Sequence, residues 1–157
     1  ASILAALAIP PANDYFNRSR FNGATLELLA DLRLARMTAI EKNRSVVFSV
    51  NTLAGTYQAF VNDGGGSLVD INLNGIPDDA ENWTREANEL LITSGQMPRG
   101  VSITAATFGG NPEFRFDNRG FPISKVNILT GGTVSFAGTA GLTRQVNMIP
   151  SGHSIIQ

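Results

Sequence analysis

The pattern of apolar and polar positions changes character at Arg44. Upstream of it, Phe21, Thr25, Leu28, Leu29, Leu32, Ala35, Ala39 and Ile40 recur at helical period and predict one near-continuous apolar stripe. Glu27, Asp31, Arg33, Glu41 and Lys42 lie off that stripe. So do Leu26, Leu34 and Met37, on another side of the same helix. A helix that is apolar on two sides has two partners: one is its own domain, and the other is expected outside the chain. Ahead of it, ASILAALAI (1–9) is uniformly apolar or small and is followed by Pro10 and Pro11. Crossing a bilayer takes about 20 residues, more than this run supplies. A buried core helix, the end of a signal peptide and the back half of a longer hydrophobic helix all fit it.

Beyond Arg44 the period shortens to two. SVVFSVN (45–51) and TYQAFVN (56–62) are β-branched and aromatic runs joined by a Leu-Ala-Gly link, which predicts a hairpin. Further strands are expected at 89–94, 101–107, 112–118, 133–139, 142–149 and 153–157, separated by glycine and proline punctuation. The fold class is therefore α+β, a long N-terminal helix packed on antiparallel β-sheets as a roll.

Composition narrows the function classes. The 157 residues suffice for one domain with a substantial core, and a hydrophobic fraction of 43% with 16% charged is that of a folded chain. A net charge of −1 provides no global field towards nucleic acid or an anionic membrane. With no cysteine, disulfides, thiol catalysis and zinc–thiolate sites are excluded. Acidity is concentrated in residues 63–89, where seven carboxylates face Arg85 alone.

Inside that window, DINLNGIPDDAE (70–81) fits a twelve-residue calcium loop of EF-hand type. Asp70, Asn72, Asn74 and Asp78 fall at alternate ligand positions, Ile76 supplies a carbonyl, and Glu81 falls where a bidentate acid closes the site. Gly75 permits the wrap that lets these oxygens converge on a hard cation. Ca2+ is the expected cofactor, held weakly because asparagine replaces two carboxylates. GGGSLV ahead of the loop is unlike an entering EF helix, so the loop is expected to order an insertion spanning about 60–95. Pro77 with Asp78 and Asp79 starts an expected short helix through Trp83 towards Asn88.

Two stretches resemble a known family. ILAALAIP followed by LLADLRLARMTAIEKN is similar to the N-terminal helix of type IV pilins and type II secretion pseudopilins, closest to the GspH/FimT branch. FRFDNRGFP, GGTVSF and LTRQVNMIPSGHS follow that branch's C-terminal pattern, with His153 where the pattern closes on arginine. The resemblance covers roughly 1–50 and 112–157. It favours the back half of a longer helix for 1–9, and implies that the processing site and an early glutamate of the family lie upstream of Ala1. Pro10 and Pro11 then bend the helix, Asn13 or Asp14 re-caps it, and Gly23 is a second soft point. At 1.5 Å per residue a helix of about 40 residues, ending near residue 43, reaches about 60 Å. Segment 1–20 is thus expected to protrude from a head of residues 21–157, in which residues 21–43 form the amphipathic part of the helix. Ile3, Leu4, Leu7, Ile9, Leu26, Leu34 and Met37 form the expected assembly interface with other pilin or pseudopilin subunits. The resemblance implies a minor pilin or pseudopilin of a type IV pilus or type II secretion system. It would be anchored in the bacterial inner membrane with a periplasmic head, then built into a filament.

No enzyme and no small-molecule substrate are expected. His153 beside Ser151 and Ser154 lacks a nucleophile elbow, and the three glycines at 64–66 lack the lysine of a phosphate loop. Two alternatives stay open. One is DNA binding of the kind the resemblance attaches to some FimT-like members, should strand pairing gather Arg115, Arg119 and Arg144. The other is a calcium-dependent adhesin subunit.

Overall fold

A computed structural model describes residues 9–62, 83–85 and 89–157, and for residues 9–12 the backbone alone. Helix α1 (Ile9–Lys42) runs without a break, so neither Asn13 nor Asp14 caps a new helix. Pro10 and Pro11 lie in its first described turn. Its far end is a Schellman turn. Asn43 takes a left-handed conformation with φ 52°, while the Arg44 and Asn43 amides bond the carbonyls of Ala39 and Ile40 at 3.2 and 3.3 Å. Asn118 donates a side-chain hydrogen bond to the Asn43 amide oxygen at 2.9 Å, tying this end to the sheet.

Strands β1 (Ser45–Asn51), β2 (Thr56–Asn62), β3 (Leu91–Gln96), β4 (Val101–Phe108) and β5 (Glu113–Phe116) follow, then β6 (Pro122–Ile123), β7 (Gly132–Gly138), β8 (Thr143–Met148) and β9 (Ser154–Ile156). They form a five-stranded sheet, ordered β3-β2-β1-β5-β6, and a four-stranded sheet, ordered β4-β7-β8-β9. Every pairing between these strands is antiparallel. The expected hairpin is β1–β2, with Val46 opposite Val61 and Phe48 opposite Ala59. β6 was not expected: two residues opening on proline carry no periodic signal, and the strand exists only by pairing with Arg115 and Phe116.

The stripe of α1 lies against both sheets. Phe21, Leu28, Leu29, Leu32, Ala35 and Ala39 share one core with Val46, Phe48, Val50, Phe114 and Phe116 of the larger sheet and Val134, Phe136 and Val146 of the smaller. Phe108 of β4 meets Phe114 of β5 at 4.4 Å between ring centroids, joining the sheets directly. Thr25 is buried in the stripe because its hydroxyl bonds back to the Asn22 carbonyl at 2.9 Å. Ile40 departs from expectation: it sits a quarter-turn off the core direction and is exposed, with its end against Gly120. Trp83–Arg85 also depart, being non-helical. The Trp83 ring packs instead beside Arg115 and Lys125, a tertiary contact that overrides local helix preference.

Tyr57 of β2 donates to the Asp31 carboxylate of α1 at 2.7 Å. Burial, then this bond and the negative charges of Asp31 and Glu27, hold the phenol well above its ordinary pKa. The unfolded chain therefore loses this proton first as pH rises past about 10. The stabilisation is complete below that pH and declines above it. Tyr57→Phe should cost about 1 kcal/mol at neutral pH. It should also flatten the fall in Tm between pH 9 and 12, as read by circular dichroism melts.

Candidate assembly surface

Residues 13–20 of α1 are nearly all exposed, so the helix runs past Phe21 without a covering layer. From there a second apolar line follows the side opposite the core. It comprises Phe16, Gly23, Leu26, Ala30, Leu34 and Met37, all exposed, with Leu26, Leu34 and Met37 at 56%, 44% and 66%. Steps of three, four and seven residues keep these positions in register on one side of a straight helix. Nothing lies within 4 Å of where a Gly23 side chain would stand, so a neighbouring backbone can approach closely there. The Ile9 side chain is not described, and Ile3, Leu4 and Leu7 lie outside the described residues. No helix among the described residues is long and apolar enough to cross a membrane.

What fixes this face outward is a polar clamp along one flank of the helix. Arg36 donates from Nε to the Gly120 carbonyl at 3.0 Å and from Nη2 to the Ser151 carbonyl at 3.2 Å. Arg33 reaches the Ser154 carbonyl at 3.5 Å. Towards the other end, Arg144 of β8 donates to Asn22 at 2.8 Å and lies over the Phe21 ring. Gly120 and Gly152 have φ of 81° and 82°. A Cβ on Gly152 would stand 2.4 Å from the Gly120 carbonyl and 2.8 Å from Arg36 Nε. The two loops thus close on one guanidinium, and only glycine fits. Sequence reading placed Arg36 and both glycines in the family pattern without a role. Their spacing across the chain holds no hint that they meet.

The remaining candidates are placed as follows. Asp70, Asn72, Asn74, Ile76, Asp78 and Glu81 lie outside the described residues. Among the described residues no group of three or more histidine, aspartate or glutamate side chains could hold a metal. Arg115, Arg119 and Arg144 are not gathered. Arg115 of β5 bonds Asn127 and lies by Trp83, Arg119 pairs with Asp117 at 3.1 Å, and Arg144 stands on the other sheet against the helix. His153 is exposed and 3.1 Å from the Ser151 hydroxyl.

A long helix with a core stripe on one side and an apolar line on the other, laid on two antiparallel sheets, is a pilin-like fold. The chain belongs to the family described as type II transport protein GspH, whose model matches residues 24–152. Among solved structures it is similar to the minor pseudopilin EpsH from the type 2 secretion system of Vibrio cholerae, at 11% identity and TM-score 0.59 over 88% of this chain and 96% of that one. A second structure of EpsH gives 9% identity and TM-score 0.60 over the same shares. The type IV minor pilin FimU of Pseudomonas aeruginosa matches at 14% identity and TM-score 0.56, over 91% of this chain and 92% of its own. At such identities the likeness shows a shared fold. No curated protein sequence matches the chain closely enough to count as a relative.

The clamp makes a direct prediction. Gly152→Ala should lose on the order of 2–4 kcal/mol in urea unfolding, since strain and a backbone clash add. Gly141→Ala, with φ 73° and open space around it, should lose only about 1 kcal/mol. Equal losses would mean that the approach of the two loops is not tight.

Proposed function

We propose that this chain is a non-enzymatic structural subunit, a minor pilin or pseudopilin, of a type IV pilus or a type II secretion pseudopilus. The observation that carries the reading is the apolar line of Phe16, Leu26, Leu34 and Met37, held away from the core by the Arg36 clamp. A fold that buries one stripe so fully gains nothing from a second one in water. Helices of neighbouring subunits cover that line in the assembly, together with the apolar residues 1–9. In this reading the hydrophobic helix holds the chain at the inner membrane, head in the periplasm, until assembly. Leu34→Asp with Met37→Asp should leave Tm close to that of the parent, because both side chains are exposed. The same pair should abolish recovery of the chain in sheared filaments or cross-linked pseudopilus complexes. Normal incorporation would remove the helix face from the interface.

Ca2+ at residues 70–81 is the second part of the proposal, supported by ligand spacing alone. Its role would be to order the insertion that leads to Trp83. Titration calorimetry on chelator-treated protein should give a Kd on the order of 10⁻⁵ to 10⁻³ M with a parallel rise in Tm. Asp70→Ala and Glu81→Ala should abolish both. Absence of heat and thermal shift at millimolar Ca2+ would make the segment an ordinary Asn-Gly turn.

A further inference from the structure

The apolar line on α1 has one acidic and one basic margin. Glu27 and Arg33 lie the same distance before and after Ala30 in the chain, and both are exposed. At 3.6 residues per turn they flank the line about 60° to either side. Asp31 continues the Glu27 margin and Arg36 the Arg33 margin. Within the helix this arrangement is unfavourable, since Glu27 and Asp31 are like charges one turn apart, and so are Arg33 and Arg36. Among the described residues neither Glu27 nor Arg33 forms an ion pair. The other charges on this side of the helix are Arg20, two turns before Glu27, and Glu41, one turn beyond Met37.

The basic margin borders a recess. Arg33, Arg36, Met37, Gly152, His153 and Ser154 line a space of about 300 Å³ between α1 and the turn before β9. Two guanidinium groups and an imidazole belong to this lining, and no carboxylate does. The hydrogen bonds of Arg33 and Arg36 to the Ser154, Gly120 and Ser151 carbonyls set both cations in place before any ligand arrives. A carboxylate entering here meets fixed donors of opposite charge in a partly water-excluded setting. Met37 belongs to the recess and to the apolar line, so the recess opens onto the assembly surface.

The two margins decide what lies along the line. When two such helices meet face to face and parallel, the acidic margin of each runs beside the basic margin of the other. In the antiparallel arrangement acid meets acid and base meets base, which is repulsive. The surface is therefore complementary to itself in one orientation only. Glu27 and Arg33 are about 9 Å apart along the axis, so an advance of that size brings Glu27 of the neighbour level with Arg33, at the mouth of the recess.

We infer that the recess beside Arg33 and Arg36 receives the Glu27 carboxylate of a second copy of this chain, packed parallel along the apolar line. This rests on the proposed role as a structural subunit and names the partner of its helix face. The test is charge reversal in the full chain, within cells that assemble it, with Tm measured on each variant. Glu27→Arg and Arg33→Glu should each lower incorporation about tenfold while leaving Tm close to that of the parent. The double reversal should restore incorporation, because every copy then carries both exchanged charges. Loss in both single variants without rescue in the double would put a different subunit in the recess and overturn the inference. Normal incorporation of all three variants, with Leu34→Asp and Met37→Asp still abolishing it, would overturn the recess and leave the subunit role standing. If that aspartate pair also incorporated normally, both would fall. Should a reversal lower Tm, cysteines decide, since the chain has none of its own. A short thiol-reactive cross-linker should join a Glu27→Cys copy to an Arg33→Cys copy. Adducts only between like variants, or none, would overturn the parallel contact.

Discussion

The head depends on one helix burying a single stripe against two sheets at once. Leu28, Leu32, Ala35 and Ala39 meet residues of both sheets within one core, so neither sheet has a complete core without α1. Two side chains of the stripe are small, Ala35 and Ala39, and both are fully buried. The rotation of the helix about its axis is thereby set to within a fraction of a turn. Everything on its outer side follows from that setting.

Polar contacts make the setting unique. Apolar packing is non-directional and by itself leaves room for small rotations. Arg36 removes that freedom, because its two hydrogen bonds go to carbonyls of two separate loops. Those loops meet only because neither Gly120 nor Gly152 carries a Cβ. Arg144 and Asn22 do the same work nearer the protruding end. The helix is thus pinned at two heights on one flank, while Tyr57 and Asp31 hold the other.

Much of this was legible along the chain, for identifiable reasons. Period-3.6 spacing found the helix and its end near residue 43, and period-two runs found the strands of both sheets except β6. Ile40 misled because it lies at the margin of the stripe, where an apolar residue can fall on either side of the boundary. Trp83 misled because its partners, Arg115 and Lys125, are strand and turn residues more than thirty positions away. Arg36, Gly120 and Gly152 were visible only as parts of a pattern. That they form one contact is a property of three-dimensional closure, which no local spacing encodes. The loop at 70–81 is the reverse case, with its ligand spacing plain in the sequence and its residues outside those described.

Trp83 is the only tryptophan in the chain, and two cations stand within 6 Å of its ring. Positive charge near an indole shifts its emission, and the shift depends on which end of the ring the charge faces. The protein therefore contains a single built-in optical probe beside the larger sheet, at a residue that falls within the acidic stretch of the sequence. Any event that moves the Trp83 ring relative to Arg115 of β5 is readable as a change in colour or intensity, without a label and without disturbing the helix.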